Sequence, residues 1–285
     1  MQRLARVSWR LEPTHVDVTM GELAYAWGVG SRTEYASEWR HRLWLDGEDA
    51  LAWAWLFLPG TLEWQVHPAH PELLEDVLDW FENEAPEGER ATSVRVANAE
   101  AIGRLRARGF RADDDAPWMR LNQRTLETIE APRLPTGFRM FTMADAGADP
   151  AARVAVHQAS WRELGTRVTH ETYARVVQTW PYRPDLDLVV EAPDGTYAAF
   201  ALAWYDHENQ VGELEPVGTD PRFRRRGLAR AVNLFALERL REIGARHAIV
   251  GSRGDEGYPV PRRLYESVGF RELSRNVRHM KGPPR

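Results

Sequence analysis

The sequence predicts an α/β fold: two similar domains in tandem, each a central mixed β-sheet flanked by helices. Three features predict it. Residues 130–137, Glu-Ala-Pro-Arg-Leu-Pro-Thr-Gly, carry two prolines and a glycine in a stretch without apolar periodicity, which suits a linker. Strand-like and helix-like apolar periods alternate on both sides of it. Their order on one side recurs on the other, as in an internal repeat.

After the linker, residues 137–143 read as a strand and 150–164 as a helix, with a second helical stretch over 170–179 ahead of Pro181. Residues 186–192 and 197–205 are strands joined by a tight Asp194-Gly195 turn, a hairpin. A third strand over 212–217 enters Thr219-Asp220-Pro221. From 227 to 243, Leu228, Ala231, Val232, Phe235 and Leu240 recur at helical spacing, and Gly244 ends the helix. A short buried strand over 247–251, a helix over 261–268 stopped by Gly269, and a strand from Phe270 onward complete this half.

Before the linker the later part of that plan is repeated. Residues 42–45 and 50–58 are strands about the turn Asp46-Gly47-Glu48-Asp49, and 62–66 is a strand leading into His67-Pro68. A helix over 71–84, a strand over 91–96, a helix over 98–108 stopped by Gly109-Phe110, and a strand over 117–121 follow. Residues 1–130 and 131–285 are therefore read as two domains, the first of them shorter ahead of its hairpin.

Composition narrows the function. The chain has 285 residues, a formal net charge of −5 and no cysteine. The missing cysteine excludes disulfides, thiolate metal sites and a thiol nucleophile. A mildly acidic chain lacks the broad basic surface that nucleic-acid binding needs. No apolar run approaches the roughly 20 residues that cross a bilayer, and no signal-peptide core follows the basic start, so a cytoplasmic protein without a membrane partner is expected. His67 and His70 have no accompanying ligand cluster, and no metal is expected. Most of the 12 tryptophans are expected in the core or in a pocket wall.

The strongest chemical signal is Val217-Gly218-Thr219-Asp220-Pro221-Arg222-Phe223-Arg224-Arg225-Arg226-Gly227-Leu228-Ala229, a strand running through a loop into a helix. Backbone N–H groups at a helix start lack intrahelical partners and suit phosphate oxygens. Gly227 allows close approach to the backbone, Ala229 keeps the helix surface low, and Arg224, Arg225 and Arg226 supply positive charge. Period-two alternation places Glu213, Glu215 and Val217 on one face of the preceding strand. The two glutamates are candidate bases, and their proximity can raise one carboxylate toward neutrality.

These residues resemble the GNAT superfamily of acetyltransferases. Arg224, Gly227 and Ala229 match its R/Q-x-x-G-x-G/A signature, and Tyr265-Glu266-Ser267-Val268-Gly269-Phe270 matches its second hallmark. The tandem plan and Val217-Gly218-Thr219-Asp220-Pro221 are particularly similar to the mycothiol synthase branch. The resemblance covers residues 137–281 and implies direct acetyl transfer from acetyl-CoA, as co-substrate, to a primary amine of a small molecule or peptide. It implies coenzyme binding by Val217, Gly218, Thr219, Arg224, Arg225, Arg226, Gly227, Leu228, Ala229, Arg230 and Tyr258, a bulge in the strand before the loop, and Val217 N–H as oxyanion donor. Family position favours Glu213 as the base over Glu215, and Tyr265 matches the general acid.

Tyr258 stands where many members carry an asparagine, and Asp255 and Glu256 in the same loop are candidates for a cationic substrate. Trp161, Tyr173, Trp180 and Tyr182 are candidates for an aromatic pocket wall, with core packing expected for at least half. The first half keeps Asn98 and Gly109-Phe110 but has Pro71 and Glu72 at the phosphate position and Leu105 in the tyrosine's place. It is expected to be a degenerate partner that is structural or walls the substrate cleft. A non-catalytic acyl-CoA sensor or scaffold is the alternative, and a monomer or homodimer is expected.

Overall fold

The structure, a computed structural model, describes residues 1–282. The chain opens with helices α1 (Gln2–Leu11) and α2 (Met20–Gly30). It then runs β1 (Trp39–Asp46), β2 (Asp49–Phe57), β3 (Thr61–Val66), α3 (Leu73–Glu84), β4 (Arg90–Arg95), α4 (Ala99–Ala107), β5 (Arg111–Ala112) and β6 (Met119–Thr125). Beyond the linker come β7 (Arg139–Thr142), α5 (Pro150–Trp161), α6 (His170–Val176), β8 (Asp187–Glu191), β9 (Tyr197–Asp206) and β10 (Val211–Thr219). The chain continues through α7 (Leu228–Glu242), β11 (His247–Arg253), α8 (Val260–Ser267) and β12 (Arg271–Lys281). The strands and helices expected from periodicity are all present with shifted ends; α1, α2 and β5 are additional.

The mixed α/β architecture takes the form of one continuous sheet, in the order β1-β2-β3-β4-β12-β6-β11-β10-β9-β8-β7, with β5 paired to β12. Two neighbouring pairs are parallel, β3–β4 and β10–β11, and each is connected through a helix, as parallel strands require. The pairing also crosses the linker. β6 lies before the linker yet pairs with β11, and the last strand, β12, pairs with β4. Each half thus completes its sheet with a strand that the other half's order would claim, and β6 and β12 lie side by side at the middle.

Alternation along the strands assigns the layers. On β2, Ala52, Ala54 and Leu56 face a core shared with α3, while Trp53 and Trp55 face α1 and α2. On β9, Ala199, Ala201 and Ala203 lie in the core under α7, and Leu202 and Trp204 pack with α2, α5 and α6. Small residues on one face and large ones on the other let the two layers seat at different depths.

The opening helices bridge the halves. α1 packs on the tryptophans of β2, and α2 packs on α6, β9 and β10. Thr19 and Glu22 start α2 with a capping box, each side chain bonding the other's backbone N–H. Two glycines permit the close seat. A Cβ on Gly21 would lie 2.5 Å from Glu213 Oε2 and 2.6 Å from Trp204 Cδ1, and one on Gly28 would lie 2.8 Å from the Val176 Cα. Arg153 and Asp187 form a buried ion pair (2.7 Å) beneath this layer, and the Tyr173 hydroxyl donates to the same carboxylate (2.7 Å).

This packing predicts opposite outcomes for two glycine substitutions in helices. Gly103→Ala in α4 meets no atom within 4 Å and should gain about 0.5–1 kcal/mol from helix propensity. Gly21→Ala should lose about 1–3 kcal/mol through overpacking against Glu213 and Trp204, despite the same propensity gain. Urea unfolding of both variants checks the pair, and a stabilised Gly21→Ala would show that α2 is not seated on β10.

Candidate active site

β10 and β11 pair only at Val211↔His247, Gly212↔Ala248 and Glu213↔Ile249. Beyond those positions they part, leaving a fork open between Leu214–Thr219 and the end of β11. A register shift against β9 between Leu214 and Val217 marks a β-bulge at Glu215 and Pro216. Past the bulge the Asp220 N–H donates to the Ala198 carbonyl (2.9 Å). Bonded and non-bonded pairs alternate in an antiparallel ladder, so Gly218↔Phe200 is a bonded pair. Val217 and Thr219 then turn their N–H and C=O groups away from β9 and into the fork.

The bulge corrects one expectation from alternation. Leu214 lies in the core beneath α7, and Val217 packs against that same core. The extra residue rotates Val217 away from the glutamates, so only Glu213 and Glu215 share the face covered by α2.

The loop after the fork is built as an open helix start. Asp220 accepts the Arg222 N–H (2.9 Å) and ties down the Arg222 guanidinium (2.7 Å). Arg225 (φ 64°) and Gly227 (φ 80°) adopt left-handed backbone, and no side chain caps α7 at Gly227. A Cβ at Gly227 would meet nothing within 4 Å, so the space over the first turn of α7 is free. Arg224, Arg225, Arg226 and Gly227 are exposed, Leu228 is buried, and Ala229 is half-buried. Arg224 lies 3.7 Å from Glu163, Arg226 packs on the Phe223 ring, and Arg230 is bound to Glu130 (2.6 Å). Gly218 is held close to α5, since a Cβ there would lie 2.7 Å from Ser160 Cβ.

The two glutamates have different surroundings. Glu213 is buried, and both of its oxygens are engaged: Thr19 Oγ1 donates to Oε1 (2.5 Å) and the Gly21 N–H to Oε2 (3.0 Å). Burial, then the charge of Glu22, pushes its carboxyl well up. Glu215 instead lines a cavity of about 400 Å³ between the halves, and Gly251 beyond the fork on β11 lines it too. Burial, followed by repulsion from Glu22, raises the Glu215 carboxyl to about 8. Tyr265 is buried on α8 against Phe270; burial, then the charge of Glu215 and the Tyr258 hydroxyl, pushes its hydroxyl up. Glu215 and Tyr258 are thus the groups whose charge acts on Tyr265.

Other candidates are placed elsewhere. Asp255 is paired with Arg253 (2.6 Å) and Glu256 with Arg262 (2.7 Å), and the Glu256 side chain is exposed. Tyr173 and Tyr182 donate to the buried Asp187, Trp161 stacks on His157, and Trp180 lies under the Arg6 guanidinium. None of these four lines the cavity: Tyr173, Tyr182 and Trp161 pack around α5 and α6, and Trp180 is exposed beside α1. The cavity's aromatic walls are Trp55 and Trp64 of the first half and Tyr25 of α2. The Tyr25 hydroxyl lies 3.4 Å from His157 Nε2, whose basicity burial, then Arg153, lowers to about 3. Glu22, Tyr25 and Glu63 are the site residues that sequence reading passes over, and only the Thr19-x-x-Glu22 capping signature marks their neighbourhood.

In the first half β3 and β4 also part, after the pairs Thr61↔Ala91 and Leu62↔Thr92. Leu105 is fully buried there at the position equivalent to Tyr265. His67 and His70 face each other with ring centroids 5.5 Å apart.

The chain is similar to known acetyltransferases. Residues 153–270 match the acetyltransferase (GNAT) family. A mycothiol acetyltransferase of Kineococcus radiotolerans is 33% identical over 161 residues, which cover 55% of this chain and 50% of that protein. One from Thermobispora bispora is 27% identical over 268 residues, covering 85% of this chain and 83% of that protein. The chain thus spans about half the length of the first of these relatives. Among solved structures, a GCN5-related N-acetyltransferase from Sphaerobacter thermophilus superposes with a TM-score of 0.63 at 20% identity, over 99% of this chain and 92% of that one. A tandem GNAT protein from the clavulanic acid biosynthesis pathway gives a TM-score of 0.65 at 12% identity, over 100% of this chain and 94% of that one. Residues 153–270 are thus similar to the GNAT acetyltransferases, and the chain as a whole has the fold of tandem GNAT structures.

Proposed function

We propose that this chain is an acetyl-CoA-dependent N-acetyltransferase that works at the β10–β11 fork, with residues 131–285 as the catalytic unit and residues 1–130 walling the acceptor cavity. The observation that carries the reading is the junction of three features: peptide groups free in the fork, an uncapped helix start beside it, and Glu215 in the cavity with its charge acting on Tyr265.

In this reading the pyrophosphate of acetyl-CoA lies over Gly227, Leu228, Ala229 and Arg230, where unpartnered N–H groups and the α7 dipole favour negative charge. Arg224, Arg225 and Arg226 add screening cations. The pantetheine arm runs along Val217, Gly218 and Thr219, and the Val217 N–H stabilises the carbonyl oxygen as charge develops. The amine nitrogen forms the new bond to the carbonyl carbon as the carbon–sulfur bond breaks. One proton leaves the amine for Glu215, and the departing thiolate takes one from Tyr265. Glu215 is assigned as base in preference to Glu213, whose oxygens are occupied by Thr19 and Gly21. A carboxylate near 8 is matched to taking the proton of the neutral attacking amine, and a tyrosine pushed upward stays protonated and able to donate.

A mycothiol acetyltransferase proper is the second reading, favoured by the 27% identity that runs over 268 residues. Thiol release from acetyl-CoA across an amine panel that includes the amine precursor of mycothiol separates the two. Coenzyme binding without transfer to any amine would make the chain a sensor instead.

Two substitutions test the assignment. Gly227→Glu should abolish acetyl-CoA binding in calorimetry while the far-UV spectrum is retained, since it sets bulk and negative charge over the first turn of α7; unchanged affinity would remove the phosphates from this loop. For Glu215, the ionised, base-competent form grows as pH rises through about 8, so kcat/KM should climb through that region. Glu215→Gln should lower kcat by about 10²–10⁴-fold and flatten that limb, with coenzyme affinity intact. A retained limb in Glu215→Gln that disappears in Glu213→Gln would move the base to Glu213.

A further inference from the structure

The cavity between the halves carries more negative charge than a single amine needs. Asp17, Glu22, Glu63 and Glu215 line it together with Arg95, Arg120 and Arg278. The arginines are already matched. Arg95 faces Asp17 (3.3 Å), Arg120 is held by Glu266 (2.9 Å) and Glu272 (3.3 Å), and Arg278 by Glu89 (2.6 Å) and Asp113 (2.8 Å). Glu22 accepts only from the Thr19 N–H and hydroxyl at the start of α2.

The side-chain carboxylates of Glu63 and Glu215 have no hydrogen bond or ion pair among the described residues. What acts on them is burial and like charge, and both carboxyls are raised to about 8. Glu22 lines the same cavity and repels both. Arg95 in the same lining acts on Glu22, but Glu63 and Glu215 border the cavity with no cation paired to either, an arrangement that a positive ligand would relieve. The walls suit such a ligand, since Trp55, Trp64 and Tyr25 are part of the lining and aromatic rings attract ammonium groups.

We infer that the acceptor is a diamine: the reacting nitrogen sits at Glu215, and a second ammonium is held between Glu22 and Glu63 against the aromatic walls. The inference rests on the N-acetyltransferase reading and adds to it the substrate class. Transfer consumes only the first amine; the second keeps its proton and leaves with the monoacetylated product.

The test compares putrescine with butylamine, which lacks the second ammonium, on the full chain at saturating acetyl-CoA. A charge-assisted contact in a desolvated site predicts a kcat/KM for putrescine about 10- to 100-fold above that for butylamine. In the isosteric variant Glu63→Gln that ratio should fall at least about fivefold, through KM for putrescine rather than kcat. Equal kcat/KM for the two amines in the unaltered protein overturns the inference while leaving the transferase intact, as does a ratio that Glu63→Gln does not change. If acetyl-CoA binds but no amine releases thiol, the transferase reading fails, and calorimetry decides the inference alone. Putrescine binding that Glu63→Gln weakens upholds a dication site, and no putrescine binding refutes it.

Discussion

The buried carboxylate of Glu213 ties the two halves of the chain together, and the geometry of the site depends on it. Its oxygens take the Thr19 hydroxyl and the Gly21 N–H at the start of α2, a position where the helix dipole favours negative charge. Leaving either oxygen unpaired in so dry a place would cost on the order of 1–3 kcal/mol, so α2 and β10 are held in one register. Through that contact the first 30 residues become part of the second half's site. Glu22 and Tyr25, one and four positions beyond Gly21, reach the cavity at the fork only because Gly21 is fixed against Glu213.

The sequence carried the elements, the loop and the two hallmark motifs, because each is a local pattern. Leu228 to Leu240 repeat at helical spacing whatever they pack against, and Gly227 marks a backbone conformation that few other residues adopt. Three things were out of reach. The exchange of β6 and β12 is invisible because pairing partners depend on which edges meet, and both strands alternate equally well in either sheet. The bulge at Glu215 and Pro216 shifts Val217 to the other face, which a strict period of two cannot register. Glu63 lies on a strand of the first half, 152 positions before Glu215, and nothing in its surroundings marks it as a site residue.

The acids illustrate how one structure uses the same side chain in three ways. Glu213 is buried and satisfied, and acts as a structural acceptor. Glu22 divides itself between the capping box of α2 and the cavity wall. Glu63 and Glu215 are left without partners, and such groups destabilise the fold by holding raised proton affinities near neutral pH. Unmet carboxylates concentrated in one cavity, where Arg120 and Arg278 are neutralised from outside it and Arg95 is paired with Asp17, are more economically read as a ligand's counter-charges than as a packing defect.

The two forks differ in the charge that surrounds the same backbone opening. Both parallel pairs separate after two or three residues, so both halves offer an opening in the sheet. At the second fork the following helix begins at an open glycine with no acid in its first turn. At the first, α3 begins after Pro71 and Glu72 and carries Glu75 and Asp76 in its first turn, with Glu75 engaged by Arg104 and Arg108. Those acids satisfy the helix dipole from within the chain and repel a phosphate from the same place. The backbone opening is thus common to both halves, and charge at the helix start is what suits only the second to a phosphate-bearing ligand. The first half instead contributes Trp55, Glu63 and Trp64 to the cavity between the halves.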